Sequence, residues 1–170
     1  MNVSTMKCLP VVVLFASLSA LTLWSDSTFA QWQTACNEHR CQLFHEILSS
    51  EKLVQSRVYF HDVGKIEGAA NTKATEHRVI GIATVPLGIY LPAGIEVKID
   101  DKPLLAELVD CTTEQGCRAA FNVDAATLDA LKRGKQLALT VQDRRNDRYV
   151  TFSYQLDGFG EAYDEFLRRL

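Results

Sequence analysis

From residue 95 to residue 156 the chain repeatedly alternates apolar and polar side chains with a period of two. In IEVKID, Ile95, Val97 and Ile99 fall on one side and Glu96, Lys98 and Asp100 on the other. KQLALTVQD does the same with Leu137, Leu139 and Val141, and YVTFSYQL with Val150, Phe152, Tyr154 and Leu156. After Cys117, Ala119, Phe121 and Val123 share a face. Strands with one buried and one wet face produce this pattern, and antiparallel sheets packed on a core are built of them. Further strands are expected over residues 32–36, 41–48, 53–60, 78–85, 89–91 and 104–111. Turn chemistry separates them. LPAG has Pro92 at a second turn position and Gly94 at the fourth, which suits a type I turn, and DDKP and RRND fall between later strands. About nine or ten short strands with regular turns predict a mainly β chain, folded as an antiparallel β-sandwich. Orthogonal sheets and a closed barrel are the other packings open to such strands.

Two stretches follow a helical period instead. DAATLDALKRG offers Asp124 as N-cap, Leu128 and Leu131 on one side, and Lys132, Arg133 and Gly134 to end it. It predicts a short connecting helix. DGFGEAYDEFLRRL, starting from Asp157, repeats Phe159, Tyr163, Phe166 or Leu167, and Leu170, with Glu161 early and Arg168 and Arg169 late, in agreement with the helix dipole. It predicts a C-terminal helix docked on the sheets. Residues 61–77 are charged and rich in Gly, Ala and Asn, and read as a mobile loop.

The N-terminus decides the compartment. Lys7 precedes an apolar run over residues 9–24, then a polar segment and Ala30. This is the layout of a secretory signal peptide over residues 1–30, cleaved after Ala30, with a single domain over 31–170. An uncleaved membrane anchor is the rival reading, but the run falls short of the roughly 20 apolar residues that cross a bilayer. Cys8 lies at the front of the run and does not resemble a lipid-attachment cysteine. The chain carries 18 Lys and Arg against 21 Asp and Glu, and removal of Lys7 and Asp26 leaves its net charge at −3. No nucleic-acid partner is expected, because none of the concentrated basic surface it needs is evident.

Export places the remaining cysteines in an oxidising compartment. Cys36 and Cys41 bracket NEHR, and Cys111 and Cys117 bracket TTEQG. Four cysteines allow three pairings. Each short polar segment can turn the chain back and set its flanking cysteines opposite each other on a hairpin, which favours Cys36–Cys41 and Cys111–Cys117. Zinc is the rival, since Cys36, His39 and Cys41 lie within six residues; structural zinc sites favour gaps of two to four residues, the gaps here are four and five, and the exported context favours oxidation. A catalytic thiol would need a free sulfur of lowered pKa, which an even, paired set does not offer.

Several of these pieces together resemble one family. QWQTAC at the expected mature start, VPLGIYLPAGIEVKIDDKP, CTTEQGCRAAF and LDGFGEAYDEF resemble the invasion-associated locus B proteins, exported proteins of Gram-negative bacteria. The resemblance covers nearly all of residues 31–170, most strongly at Pro86-Leu87-Gly88, Leu91-Pro92-x-Gly94, and Cys111 with Gly116-Cys117. It implies a β-sandwich of immunoglobulin-like general shape and a periplasmic, secreted or outer-envelope location. The founding member is tied to bacterial entry into host cells. The resemblance supplies no catalytic residues, and it implies that Cys111 and Cys117 are structural.

Chemistry-bearing constellations are few. The sequence has no G-x-S-x-G, H-E-x-x-H, P-loop or G-x-G-x-x-G pattern. His39, His45, His61 and His77 all lie in the first half of the mature chain, so the alternative function is a small periplasmic metal-binding protein or hydrolase built on them. His61-Asp62 could form part of a catalytic base; Asp100-Asp101 fits a turn better than an acid–base pair. Arg144, Arg145 and Arg148, with Tyr149 beside them, sit at an expected hairpin tip and could grip an anionic envelope component, though Asp143, Asn146 and Asp147 interrupt them. Phe152, Tyr154 and Phe159 are expected in the core, and Trp32 against the core or the first disulfide, or partly exposed as a ligand anchor. The expectation is a non-enzymatic binding module without a cofactor. Its partner would be an unidentified protein or envelope component, and it would meet the membrane only transiently through its signal peptide.

Overall fold

The inward residues of the alternating stretches form the core of two facing antiparallel sheets. In the computed structural model, residues 32–38, 40–66 and 76–170 are described; His39 and the expected leader lie outside them. The larger sheet contains β1 (Gln33–Cys36), β2 (Cys41–Leu48), β3 (Val54–Ile66), β4 (Glu76–Val85), β7 (Ala106–Thr112) and β8 (Gly116–Asn122), in the order β1-β2-β3-β4-β8-β7. The smaller contains β5 (Glu96–Ile99), β6 (Lys102–Leu104), β9 (Gln136–Gln142) and β10 (Tyr149–Gln155), in the order β10-β9-β5-β6. Two helices complete it, α1 (Ala125–Arg133) and α2 (Phe159–Arg168). The expected sandwich with a connecting and a C-terminal helix is the fold observed.

Leu43, Val58, Phe60, Ala83 and Ala119 from the larger sheet meet Val97, Ile99, Leu137, Leu139 and Tyr154 from the smaller, all at or near zero exposure. Aromatic rings close one end of this layer. Trp32 is buried and stands edge-on to Phe159 at 5.0 Å, and Phe60 contacts Phe159 at 5.2 Å and Phe121 at 6.0 Å. Full burial of each such ring contributes about 2–3 kcal/mol. Phe121 fits because the residue paired with it is Gly81: a Cβ there would stand 2.2 Å from the ring. Trp32 is therefore a core residue, fixed further by its indole N–H donating to the Gln155 carbonyl at 2.8 Å, and it offers no exposed anchor. One polar thread joins the sheets inside the core: the Tyr154 hydroxyl donates to Ser56 Oγ at 2.6 Å, which donates to the Thr84 carbonyl at 2.8 Å.

Helix α1 begins where its cap predicts, with Asp124 Oδ1 accepting from the Thr127 N–H at 2.7 Å, and it buries Leu131. Helix α2 buries Phe159, Tyr163 and Phe166. Its N-cap is Gly158, not Asp157, and Leu170 stays 42% exposed beyond the buried stripe.

Three expectations need correction. Residues 61–66 and 76–77, read as part of a loop, are strand: Asp62 pairs with Val79, Lys65 with His77 and Ile66 with Glu76, across a register shift after Asp62. The alternation fades there, with Val63 46% exposed and Gly64 exposed, and backbone pairing continues the two strands. The rest of the expected loop, 67–75, lies outside the described residues. The strand expected over 89–91 reduces to one bridge, Ile89 to Asp143, after which Leu91–Ala93 forms a 3-10 turn closed by the Gly94 N–H on the Leu91 carbonyl at 2.9 Å. Pro92 cannot donate to a ladder, and the turn it favours takes over. Finally, the strand expected over 104–111 is split at Leu105, 85% exposed, where the chain leaves one sheet for the other.

Candidate functional site

The outward face of the larger sheet differs from that of the smaller. On β5, β9 and β10 the outward positions are Glu96, Lys98, Thr140, Thr151 and Ser153, an ordinary solvated surface. On β2 and β3 they include Phe44, Arg57, Tyr59 and His61. One register row crosses five strands and reads Glu46, Arg57, Thr84, Arg118, Asp110. Two cations thus flank a hydroxyl, and a carboxylate stands outside each cation.

Both guanidiniums are held in place. Arg57 lies over the Phe44 ring at 4.5 Å and near Tyr59 at 5.3 Å, with Glu46 Oε1 3.4 Å from its Nε and Gln42 Oε1 3.4 Å from Nη2. Its Nε is shut off from solvent and makes no hydrogen bond among the described residues; Glu46 is an ion-pair partner, outside hydrogen-bond geometry. Arg118 makes a two-pronged contact with Asp110, Nε to Oδ1 at 2.7 Å and Nη2 to Oδ2. That contact lowers the Asp110 pKa and, with the Tyr59 hydroxyl as second cause, raises that of Arg118, so both stay charged.

Above this row lies a groove of about 560 Å³. Val54 and Gln55 at the start of β3 form one wall. Pro86 and Leu87, just after β4, and the hairpin tip Thr113–Gly116 complete it. The tip is stapled at its base by Cys111–Cys117, whose Cα atoms are 3.9 Å apart. The other disulfide, Cys36–Cys41, closes the β1–β2 hairpin with Cα atoms 4.0 Å apart. Parts of the strongest pieces of the family resemblance, Pro86 and Leu87 from one and Gly116 from the other, therefore line one groove.

The remaining candidates are scattered. Arg144, Arg145, Arg148 and Tyr149 do sit at the β9–β10 hairpin, and Tyr149 is 70% exposed. Asp143 organises that tip: it accepts from the Arg145 N–H at 2.8 Å and pairs with the Arg145 side chain at 3.2 Å. The Arg144 N–H donates to the Gly88 carbonyl at 2.9 Å, placing the tip next to the groove wall. His45 and His61 do not assemble; His39 lies outside the described residues. His45 points inward from β2 and is 8% exposed, between Trp32 and Tyr154 at 5.1 Å each, whereas His61 points outward from β3. Opposite faces of one sheet cannot supply one metal ion, and among the described residues no three metal-ligating side chains converge. Burial lowers the pKa of His45; burial, then Arg40, lowers that of His61, with Asp62 opposing. Asp100 acts in a turn, as expected: its Oδ1 accepts from the Lys135 and Gln136 N–H groups at 3.0 and 3.1 Å.

The arginine row beneath the groove escaped the sequence reading because its residues come from five strands. The available signal was RVYFH, in which the outward positions of a strand are Arg, Tyr and His, bulkier and more apolar than a solvated face requires.

A disulfide-stapled antiparallel sandwich with one open, arginine-lined sheet face is the class of protein that fold and site define. The chain belongs to the family described as invasion associated locus B (IalB) protein, which matches residues 26–167. It is 26% identical over 164 residues to an invasion protein B homolog of Brucella abortus (strain 2308), covering 88% of this chain and 89% of that protein. The homolog of Brucella abortus biovar 1 (strain 9-941) matches equally. The crystal structure of invasion associated protein B from Bartonella henselae shares the fold, with a TM-score of 0.65 at 19% identity, over 81% of this chain and 92% of that one.

Proposed function

We propose that this chain is an exported protein of the bacterial envelope that works by recognition, without catalysis, and that its recognition surface is the open face of the larger sheet. The observation that carries this reading is the row Glu46–Arg57–Thr84–Arg118–Asp110 beneath a groove walled by a stapled hairpin. Ordered, partly desolvated arginines with aromatic neighbours are the residue types that concentrate binding energy at interfaces. The two disulfides support passage through an oxidising compartment, the periplasm or beyond. The names of the relatives support a role in invasion, exercised through a protein or another envelope component.

A photo-crosslinking residue placed at Gln55 or Thr113 in intact cells tests this, with Ser153 on the other sheet as control. Capture of one partner from the groove positions alone, lost on Arg57→Gln, is the expected result. Equal capture from Ser153, or turnover of a substrate by the purified protein, contradicts it. Sequencing the N-terminus of the exported protein tests the cleavage, with Gln31 as the expected first residue.

A further inference from the structure

We infer that β10 joins two copies of this chain edge to edge, antiparallel, about a two-fold axis at Phe152, so that their smaller sheets become one. Strands at sheet edges leave N–H and C=O groups unpaired, and proteins guard such edges with short strands, prolines, charges or bulges. Three of the four edges here are guarded. β1 is four residues long and closed by Cys36–Cys41. β6 is three residues long and contains Lys102 and Pro103. β7 has a register shift between Leu108 and Asp110 and carries Glu107. β10 has none of these devices. Its sequence, YVTFSYQ, holds no charged residue and no proline, and it pairs with β9 without a break over all seven residues.

The phase of the β9–β10 ladder shows which groups face outward. The Asp143 N–H donates to the Arg148 carbonyl at 2.8 Å, and the Leu156 N–H donates to the Lys135 carbonyl at 3.0 Å, one at each end of the ladder. Val150, Phe152 and Tyr154 therefore bond to β9, and Tyr149, Thr151, Ser153 and Gln155 direct their N–H and C=O groups to the open edge. The Gln155 carbonyl fits this phase, since it accepts from the Trp32 indole rather than from β9.

The order of residue types selects a second copy as the occupant. Read in either direction from Phe152, β10 gives a small hydroxyl residue, Thr151 or Ser153, and then a core-facing one, Val150 or Tyr154. A two-fold axis at Phe152 sets Thr151 opposite Ser153 of the second copy as a hydrogen-bonded pair. It sets Phe152 opposite its own equivalent in the closer, non-bonded position. Thr140 and Thr151 already share a hydroxyl hydrogen bond at 2.9 Å, and Ser153 of the second copy would extend that row. Val150, 40% exposed, and the half-buried Phe152 would gain the apolar cover that the edge now denies them.

Charge fixes the direction. The tip before β10 carries Arg144, Arg145 and Arg148 against Asp143 and Asp147, and the segment after it carries Asp157 and Glu161 against Lys135. Antiparallel pairing places the positive end of each copy beside the negative end of the other. Parallel pairing would set like ends together.

Sedimentation of the purified exported protein over a range of concentrations provides the test. A reversible monomer–dimer equilibrium is expected. Thr151→Lys with Ser153→Lys opposes like charges twice across the axis and should weaken the dimer about tenfold or more. Thr151→Lys with Ser153→Glu opposes unlike charges at the same positions and should restore it. Thermal midpoints of both variants, taken at a dilution where the protein is monomeric, should stay near that of the unaltered chain, because these side chains face solvent. A monomer at every concentration up to the solubility limit overturns the inference, as does a dimer indifferent to the lysine pair or one that the Lys–Glu pair fails to restore. In cells, a crosslinking residue at Ser153 should join two copies of this chain. Capture of a different protein there, and never of a second copy, also overturns it. Self-capture from Ser153 involves no second protein, so it leaves the groove reading untouched, and loss of the groove's partner leaves the dimer untouched.

Discussion

Gly116 lies directly against the carbonyl of Val85: a Cβ at this position would stand 2.2 Å from that oxygen, and the backbone there has φ +79°. The contact locks the tip of the second stapled hairpin onto the end of β4, and so fixes two walls of the groove relative to each other. Gly116→Ala adds both a clash and a left-handed alanine. A loss of about 2 kcal/mol in a denaturant titration is expected, together with loss of crosslinking from Thr113.

The two disulfides should differ in consequence though not in stability. Each closes a short loop, so replacing either pair by serine should cost about 2 kcal/mol in the chain-entropy account. Only Cys111→Ser with Cys117→Ser should impair groove binding, because only that pair sits at the base of a groove wall. Thiol titration of the unfolded, unreduced protein after export should find none of these four sulfurs free.

The inter-sheet hydrogen bond gives a double-mutant cycle. Tyr154→Phe removes the donor to Ser56 and should cost about 1 kcal/mol. Ser56→Ala strips partners from both the Tyr154 hydroxyl and the Thr84 carbonyl and should cost more, about 1–3 kcal/mol. The double variant should fall short of the sum of the two, since the same bond is lost in each.

His45 gives a pH signature. Burial depresses its pKa below the ordinary 6.5, so the unfolded chain binds a proton that the folded one resists. Its share of stability is complete above pH 6.5 and is lost as pH falls from there through the folded pKa. Carboxylates held low by hydrogen bonds, such as Asp124 and Asp143, act in the same direction but from their lower ordinary value of 3.8. His45→Phe should therefore flatten the upper part of the acid-unfolding profile and leave the lower part in place.

Asp124→Ala removes the N-cap of α1 and should lower stability by about 1 kcal/mol, with Asp124→Asn recovering most of it. Far-ultraviolet circular dichroism against denaturant gives the measurement.

Where the chain's own neighbours decide the environment, the sequence was explicit. Ile95, Val97 and Ile99 alternate and are buried, as are Leu137, Leu139 and Val141, because a strand on a core wets only one side. Asp124 announced its helix, and two close cysteine pairs announced their hairpins. At the far arm of β3 and β4 the same reading failed: Val63 and Gly64 are both exposed, so the alternation breaks, and backbone pairing across a register shift continues the strand.

The sequence by itself determined most of the strands that cover the core, which side of each of those is buried, where two hairpins are stapled, and the family to which these pieces point. Only the tertiary structure decided that Arg57 and Arg118, 61 positions apart along the chain, share a row with Thr84 between them. Periodicity reports the surroundings of one segment. A row across five strands depends on how each registers with the next, and on which sheet face the helices leave uncovered. Both are set by long-range packing, which no local pattern of side chains encodes.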